Sequence, residues 1–151
     1  MVDFTLRPLV LADLPACVAL VAESPLWRRY GYGALRCEAD LRAALEAGDA
    51  LFCAERGGAA VGFAWVLPRG GFGRMPYLKL LAVAEVHRGL GIGAALLKAA
   101  EGVGRGDLLI LVSDFNEAAQ RFYLREGFVQ VGALPDFALP GVTERILLKR
   151  R

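Results

Sequence analysis

The residues of this sequence whose spacing most directly suggests chemistry are Arg88-Gly89-Leu90-Gly91-Ile92-Gly93. They follow an apolar run, Tyr77 to Val83, and a polar link, Ala84 to His87. They lead into an Ala/Leu-rich run with helical composition. A glycine-dense loop running into a helix leaves backbone N–H groups unpaired and pointing outward, and the helix dipole adds partial positive charge at the same place. Together these favour an anion, most often a phosphate. Glycine lets such a ligand approach the backbone, because no Cβ stands in the way.

Three kinds of loop compete for this pattern. A nucleoside-triphosphate loop needs a Lys-Ser/Thr pair after its last glycine, and here Gly93 is followed by Ala94-Ala95, which rejects it. Gly89-x-Gly91-x-x-Ala94 formally matches the dinucleotide fingerprint, with Asp114 about twenty residues further on. That fingerprint should follow its strand directly and open the fold, whereas here Ala84 to Arg88 intervene and the loop comes past mid-chain. The third reading is a tight strand-to-helix turn with glycines for packing alone.

The elements that must position this loop can be read along the chain. Phe4 to Pro8 alternates as a first strand; Leu11 starts a helix carried by Leu14, Cys17, Val18 and Val21, stopped by Ser24-Pro25. Leu26 to Leu35 is an aromatic and basic segment without a clear period. A second helix is expected over about Cys37 to Ala47, ended by Gly48. Ala50 to Glu55 and Ala59 to Leu67 read as a hairpin around Arg56-Gly57-Gly58, and Pro68-Arg69-Gly70-Gly71 as the next turn. Arg74 to Val83 is a strand feeding the glycine loop, and the helix after it runs from about Gly91 to Val103. Leu108 to Val112 has the pattern of a strand covered on both faces. Asn116 caps a helix from Glu117 to Glu126, which Gly127-Phe128 ends; two strands follow, Phe128 to Ala133 and Thr143 to Lys149. The order βααβββαβαββ predicts an α/β fold, with a central mixed, mostly antiparallel sheet of about seven strands flanked by about four helices.

Composition bounds the rest. The chain has 151 residues, enough for one domain with a substantial core, and is 56% apolar. No apolar run approaches the roughly 20 residues of a membrane helix, and Met1 to Phe4 does not begin a signal peptide. Three cysteines and one histidine lack metal-ligand spacing, so no metal is expected, and buried thiols in a reducing cytoplasm are. A net charge of +2 is too weak to argue for nucleic acid.

Arg88-x-x-Gly91-x-Gly93 resembles the signature of the GNAT superfamily of N-acetyltransferases, which bind acetyl-CoA. Leu80-Leu81-Ala82-Val83 looks like that family's central strand. Asn116-Glu117-Ala118-Ala119-Gln120-Arg121-Phe122-Tyr123-Leu124-Arg125-Glu126-Gly127-Phe128 looks like its second motif, an Asn-capped helix ending in aromatics and Gly-Phe. Element order agrees from Phe4 to Lys149, so the resemblance covers nearly the whole chain and implies one N-acetyltransferase domain over residues 1–151.

The resemblance implies that N–H groups of Arg88, Gly89, Leu90, Gly91, Ile92, Gly93 and Ala94 hold the pyrophosphate, with Gly91 and Gly93 the positions most sensitive to bulk. It implies that the pantetheine arm pairs with the backbone of Leu81, Ala82 and Val83, where that strand splays from Leu108 to Val112. A backbone N–H near Val83 would then polarise the thioester carbonyl. Asn116 is similar to a residue that reaches the pantetheine arm, with a plain N-cap as its other role; Ala119, Phe122 and Tyr123 complete the implied cofactor contacts. Tyr123 stands at the family's acid position, and a phenol with a reference pKa of about 10 is protonated at neutral pH. No base is assigned: Gly73 to Val83 holds no carboxylate, only Tyr77 and Lys79, and Glu85, Asp114, Glu117 and His87 are near by sequence alone.

The acceptor, a small-molecule or peptide amine, is expected against Trp27 to Leu35 and Leu134 to Val142, where Arg28 and Arg29 suit a carboxylate or phosphate. The expected activity is acetyl transfer from acetyl-CoA to a primary amine by direct attack. The alternatives are a non-catalytic acyl-CoA-binding sensor and a nicotinamide-dependent oxidoreductase. A homodimer fits family habit, and no membrane partner is expected.

Overall fold

A computed structural model describes residues 3–151. Seven strands form one sheet: β1 (Thr5–Pro8), β2 (Ala50–Arg56), β3 (Ala59–Gly71), β4 (Met75–Val83), β5 (Leu108–Ser113), β6 (Val129–Pro135) and β7 (Thr143–Lys149). Their order is β1-β2-β3-β4-β5-β7-β6, and every neighbouring pair is antiparallel except β4 with β5. Five helices cover the two faces: α1 (Leu14–Ala22), α2 (Pro25–Arg29), α3 (Ala34–Ala47), α4 (Ile92–Glu101) and α5 (Glu117–Arg125).

Strand alternation sorts the core into two layers. Leu51, Cys53, Phe63, Trp65 and Leu80 meet Leu14, Cys17 and Val21 of α1 and Cys37, Leu41 and Ala44 of α3. Ala54, Ala64, Val66, Leu78 and Ile110 meet Ile92, Leu96, Leu97 and Ala100 of α4, with Tyr123 of α5 and Phe128. Two-residue spacing along each strand and helical spacing along each helix make this possible. All three cysteines are free and fully buried. No helix among the described residues is long and apolar enough to cross a membrane.

The structure corrects several expectations. Pro68 to Gly71 is not a turn; β3 continues through it, and the chain reverses at Phe72-Gly73. Glycine is needed there for close approach, since a Cβ on Gly71 would lie 2.5 Å from Met75 Cγ and one on Gly70 would lie 2.7 Å from Leu67 Cβ. Pro68, with no N–H, falls where the β3–β4 pairing is interrupted. The segment without a period contains a fifth helix, α2, started by Pro25 and too short to show a period. Leu11–Asp13 is a 3-10 turn before α1, and α3 starts three residues earlier than expected, at Ala34. The helix after the glycine loop ends at Glu101, and the polar link holds a 3-10 turn, Glu85–His87.

The irregularity that matters most lies in β4. Trp65 pairs with Leu80 and Val66 with Leu78, so Lys79 is an extra residue with no partner on β3. Such a bulge bends its strand and increases its twist. It also changes which face the following side chains meet: Leu78 packs towards α4, Leu80 towards α1 and α3. On its other side β4 pairs with β5 at one position only, Tyr77 with Leu109. Beyond that point the two central strands part.

Candidate functional site

The parting of β4 and β5 opens a cleft of about 540 Å³. Leu78 to Leu81 of β4 and Ile110 to Ser113 of β5 form its sides, and Asn116, Ala119 and Tyr123 close one end. Trp27, Tyr30 and Tyr32, from α2 and the turn after it, cover another side with Phe137 and Glu144.

Which backbone groups face the cleft follows from hydrogen-bond alternation. The Ala84 N–H donates to the Val61 carbonyl at 2.8 Å, and the register runs back through Val83–Gly62, Ala82–Phe63 and Leu81–Ala64. In an antiparallel pair, residues that exchange hydrogen bonds alternate with residues that do not. Ala82 is therefore bonded to β3, whereas Leu81 and Val83 turn their N–H and C=O groups towards the gap. The contacts foreseen for Leu81, Ala82 and Val83 divide in the same way.

The glycine loop lies just past this strand. The Arg88 N–H donates to the Glu85 carbonyl at 3.1 Å, so this amide closes the 3-10 turn. The next six amides, Gly89 through Ala94, have no hydrogen-bond partner among the described residues; the helical ladder starts with Ala95 donating to Gly91. Gly89 and Gly91 hold φ of 76° and 84°, the left-handed region that glycine enters without strain. Gly93 does not; a Cβ there would meet the Phe122 ring at 3.7 Å, an ordinary contact. Leu90 and Ile92 turn inward, Ile92 to 1% exposure, and anchor the loop. Arg88 is exposed.

At the start of α5 the Asn116 side-chain Oδ1 accepts from the Ala119 N–H at 3.2 Å, capping the helix, and leaves its amide NH2 without a partner among the described residues. The two roles foreseen for Asn116 thus fall on different atoms. Three residues of the helix face the site in sequence: Ala119 and Tyr123 line the cleft, and Phe122 packs beside Gly93. The helix stops in a Schellman ending, with Phe128 N–H on the Tyr123 carbonyl at 3.0 Å and Gly127 N–H on the Leu124 carbonyl at 3.1 Å. The rings of Phe122 and Phe128 hold Tyr123 at centroid distances of 5.0 and 5.4 Å. The Tyr123 hydroxyl has no hydrogen-bond partner among the described residues. Burial, with a smaller contribution from Tyr77, pushes its pKa well above the ordinary phenol value, so it keeps its proton.

Glu85 and Glu117 are exposed, and Asp114 accepts from the Thr143 N–H at 3.2 Å, so the carboxylates that sequence placed near the site serve elsewhere. His87 sits 3.1 Å from the Arg56 guanidinium. The buried carboxylate among the described residues that line the cleft is Glu144, near the start of β7 and 7% exposed. The Tyr30 hydroxyl donates to it at 2.6 Å and sits 2.6 Å from Ser113 Oγ. Since the phenol has one hydrogen, the serine hydroxyl donates to the phenol oxygen. Burial and the bond to Glu144 push Tyr30 up to about 12. A second pair, the Tyr32 hydroxyl on Asp40 at 2.8 Å, lies on the same wall. Arg28 and Arg29 do not face the cleft: Arg28 donates to the Ala22 carbonyl and Arg29 lies over the Phe115 ring. Tyr30, Ser113 and Glu144 come together from the end of α2, from β5 and from β7, across 83 and 114 positions of sequence, and no local pattern signals that meeting. Among the described residues no three His, Cys, Asp or Glu side chains converge as metal ligands.

Residues 17–128 match the sequence profile of the Acetyltransferase (GNAT) family. No curated protein matches the chain. Many solved structures share its fold. A GNAT-family acetyltransferase from Bacillus cereus superposes with a TM-score of 0.82 at 16% identity, over 99% of this chain and 98% of its own. A ribosomal-protein-alanine N-acetyltransferase from Brucella melitensis gives 0.76 at 24%, over 97% and 99%. The PaiA N-acetyltransferase from Thermoplasma acidophilum, solved with coenzyme A, gives 0.73 at 18%, over 99% of both chains.

Proposed function

The chain belongs to the GNAT acetyltransferase family, and from that premise we propose that it transfers an acetyl group from acetyl-CoA to a primary amine by direct attack. One observation carries the reading: a cleft between two parted strands runs from unpaired backbone groups to a protonated tyrosine.

The residues fit such a donor. The free amides from Gly89 through Ala94 suit a pyrophosphate, and the outward Leu81 and Val83 groups suit the amides of a pantetheine arm. The bound donor supplies an activated thioester. The Val83 N–H is aimed to polarise its carbonyl, and as an oxyanion donor it gains strength in a site closed to water. Tyr123 gives its proton to the sulfur as the carbon–sulfur bond breaks. The Asn116 NH2 group is a further donor for the arm. The three buried thiols suit a reducing compartment and support a cytoplasmic setting.

Thermal unfolding with acetyl-CoA, and with NAD as control, tests the donor. A ligand bound only by the folded state at about a hundred times its dissociation constant adds roughly 2.7 kcal/mol. A rise in Tm with acetyl-CoA alone is expected; a rise with NAD alone would overturn the reading. Tyr123→Phe should lower kcat by about a hundredfold while sparing acetyl-CoA affinity. An unchanged kcat would remove Tyr123 as the acid.

A further inference from the structure

The two buried carboxylates among the described residues are satisfied differently. Asp13, 8% exposed, takes two bonds from the Arg7 guanidinium at 2.8 Å and one from the Val10 N–H at 2.8 Å. Glu144 is as deeply buried but receives one neutral donor, the Tyr30 hydroxyl, and no cation within ion-pair distance among the described residues. A carboxylate withdrawn from water without a cation is costly. An acid held this way, open to a cleft, has room for a cation that the chain itself does not supply.

The nearby cations contact other groups than Glu144, and none lies within ion-pair distance of it among the described residues. Lys79 Nζ lies 4.3 Å from the centre of the Trp65 ring, and Arg36 lies over Tyr32 at 5.7 Å with its Nε 3.9 Å from Asp40. Arg29 is 3.6 Å from the centre of the Phe115 ring. The cleft that Glu144 lines carries the rings of Trp27, Tyr30, Tyr32, Trp65, Tyr77 and Phe137 among aliphatic side chains. Rings accept apolar stems and the faces of cations alike. Tyr77 lines the same cleft, and burial first, with Glu144 after it, raises its pKa.

Resting on the acetyl-transfer reading, we propose that Glu144 receives the acceptor as an ammonium ion, in the place its carboxylate gives to the Tyr30 hydroxyl when no acceptor is bound, and that the acceptor is a primary amine on an uncharged, apolar or aromatic stem. An ammonium has three donors, so it satisfies the carboxylate while Tyr30 keeps its bond to Ser113. Glu144 then takes one proton and leaves the nitrogen neutral for attack; after attack the nitrogen gives up a second proton, which replaces the one that Tyr123 passes to the sulfur. The balance is R–NH3⁺ plus acetyl-CoA giving R–NH–acetyl, CoA-SH and one proton, which leaves Glu144 for solvent. A carboxylate beside the amine, as in a free α-amino acid, would meet the like charge of Glu144.

The test uses the full chain and three probes on one stem: 2-phenylethylamine, 2-phenylethanol and L-phenylalanine. Fluorescence of Trp27 and Trp65, both in the cleft wall, reads binding without acetyl-CoA. The amine should bind the unaltered protein at least about tenfold more tightly than either other probe. Glu144→Gln, which keeps an acceptor for Tyr30, should erase that preference. Tyr30→Phe, which keeps the carboxylate, should retain it. With acetyl-CoA present, Glu144→Gln should lower kcat/KM for the amine by about a hundredfold, with the calorimetric acetyl-CoA affinity unchanged and Tm no lower. Equal response to the three probes, or a preference surviving in Glu144→Gln, overturns the assignment and leaves acetyl-CoA binding untouched. Loss of acetyl-CoA binding with the amine preference intact would instead overturn the choice of donor.

Discussion

At the scale of single residues, the glycine loop separates conformational need from room for a ligand. Gly91 has φ of 84° and caps α4, so Gly91→Ala should lower stability by about 1 kcal/mol and weaken acetyl-CoA binding together. Gly93 has an ordinary backbone and ordinary neighbours, so Gly93→Ala should leave stability unchanged or raise it by up to about 1 kcal/mol. If acetyl-CoA affinity nevertheless falls in Gly93→Ala, measured by calorimetry beside a denaturant melt, the loss belongs to ligand approach. Equal stability losses in both variants would contradict this division. The loop and Tyr123 were legible as candidates because each lies in a contiguous stretch with its own chemistry. Glu144 was not, because a lone acid between Thr143 and Arg145 reads as a solvated strand residue. Only the pairing of Glu144 with Ser113 brings it beside β5, and only α2 brings Tyr30 to it.

At the scale of elements, the helices and strands were visible wherever their period ran long enough. Errors fell where glycine served contact, as at Gly70-Gly71, or where a helix was five residues long, as in α2. The Lys79 bulge could not be read, because it is defined by the pairing partner and not by β4 itself. One tie between elements has a pH signature. Arg7 on β1 joins Asp13, ahead of α1, and Glu55 on β2 at 2.8 Å each. The Arg7 guanidinium holds the Asp13 carboxyl below its ordinary value of 3.8. A carboxyl lowered on folding contributes stability that is present above its unfolded value and is lost as pH falls through the folded one. Melts of the unaltered protein should therefore lose this contribution as pH drops below about 4. Arg7→Ala should melt lower at neutral pH, and its Tm should fall less steeply on acidification over that window. Parallel Tm–pH curves for the two proteins would show that the tie does not report on folding.

At the scale of the whole molecule, the sheet is two antiparallel halves, β1 to β4 and β5 to β7, joined by one parallel pair. The order of elements along the chain and the mixed character were legible; the seam came only as what the family resemblance implied, because separation of strands depends on pairings that no single segment encodes. That seam gives the middle of the sheet the behaviour of a border. A central strand ordinarily shields its amide hydrogens from solvent deuterium on both sides. In β4, Leu80 and Ala82 pair with β3 while Leu81 and Val83 turn towards the gap. Deuterium uptake followed by NMR should therefore alternate along one strand, slow at Leu80 and Ala82 and fast at Leu81 and Val83. Uniform slow uptake across all four would mean that solvent does not enter the seam. The alternation makes β4 both a wall of the core and a shoreline, with every second peptide group touching water in the interior of a folded sheet.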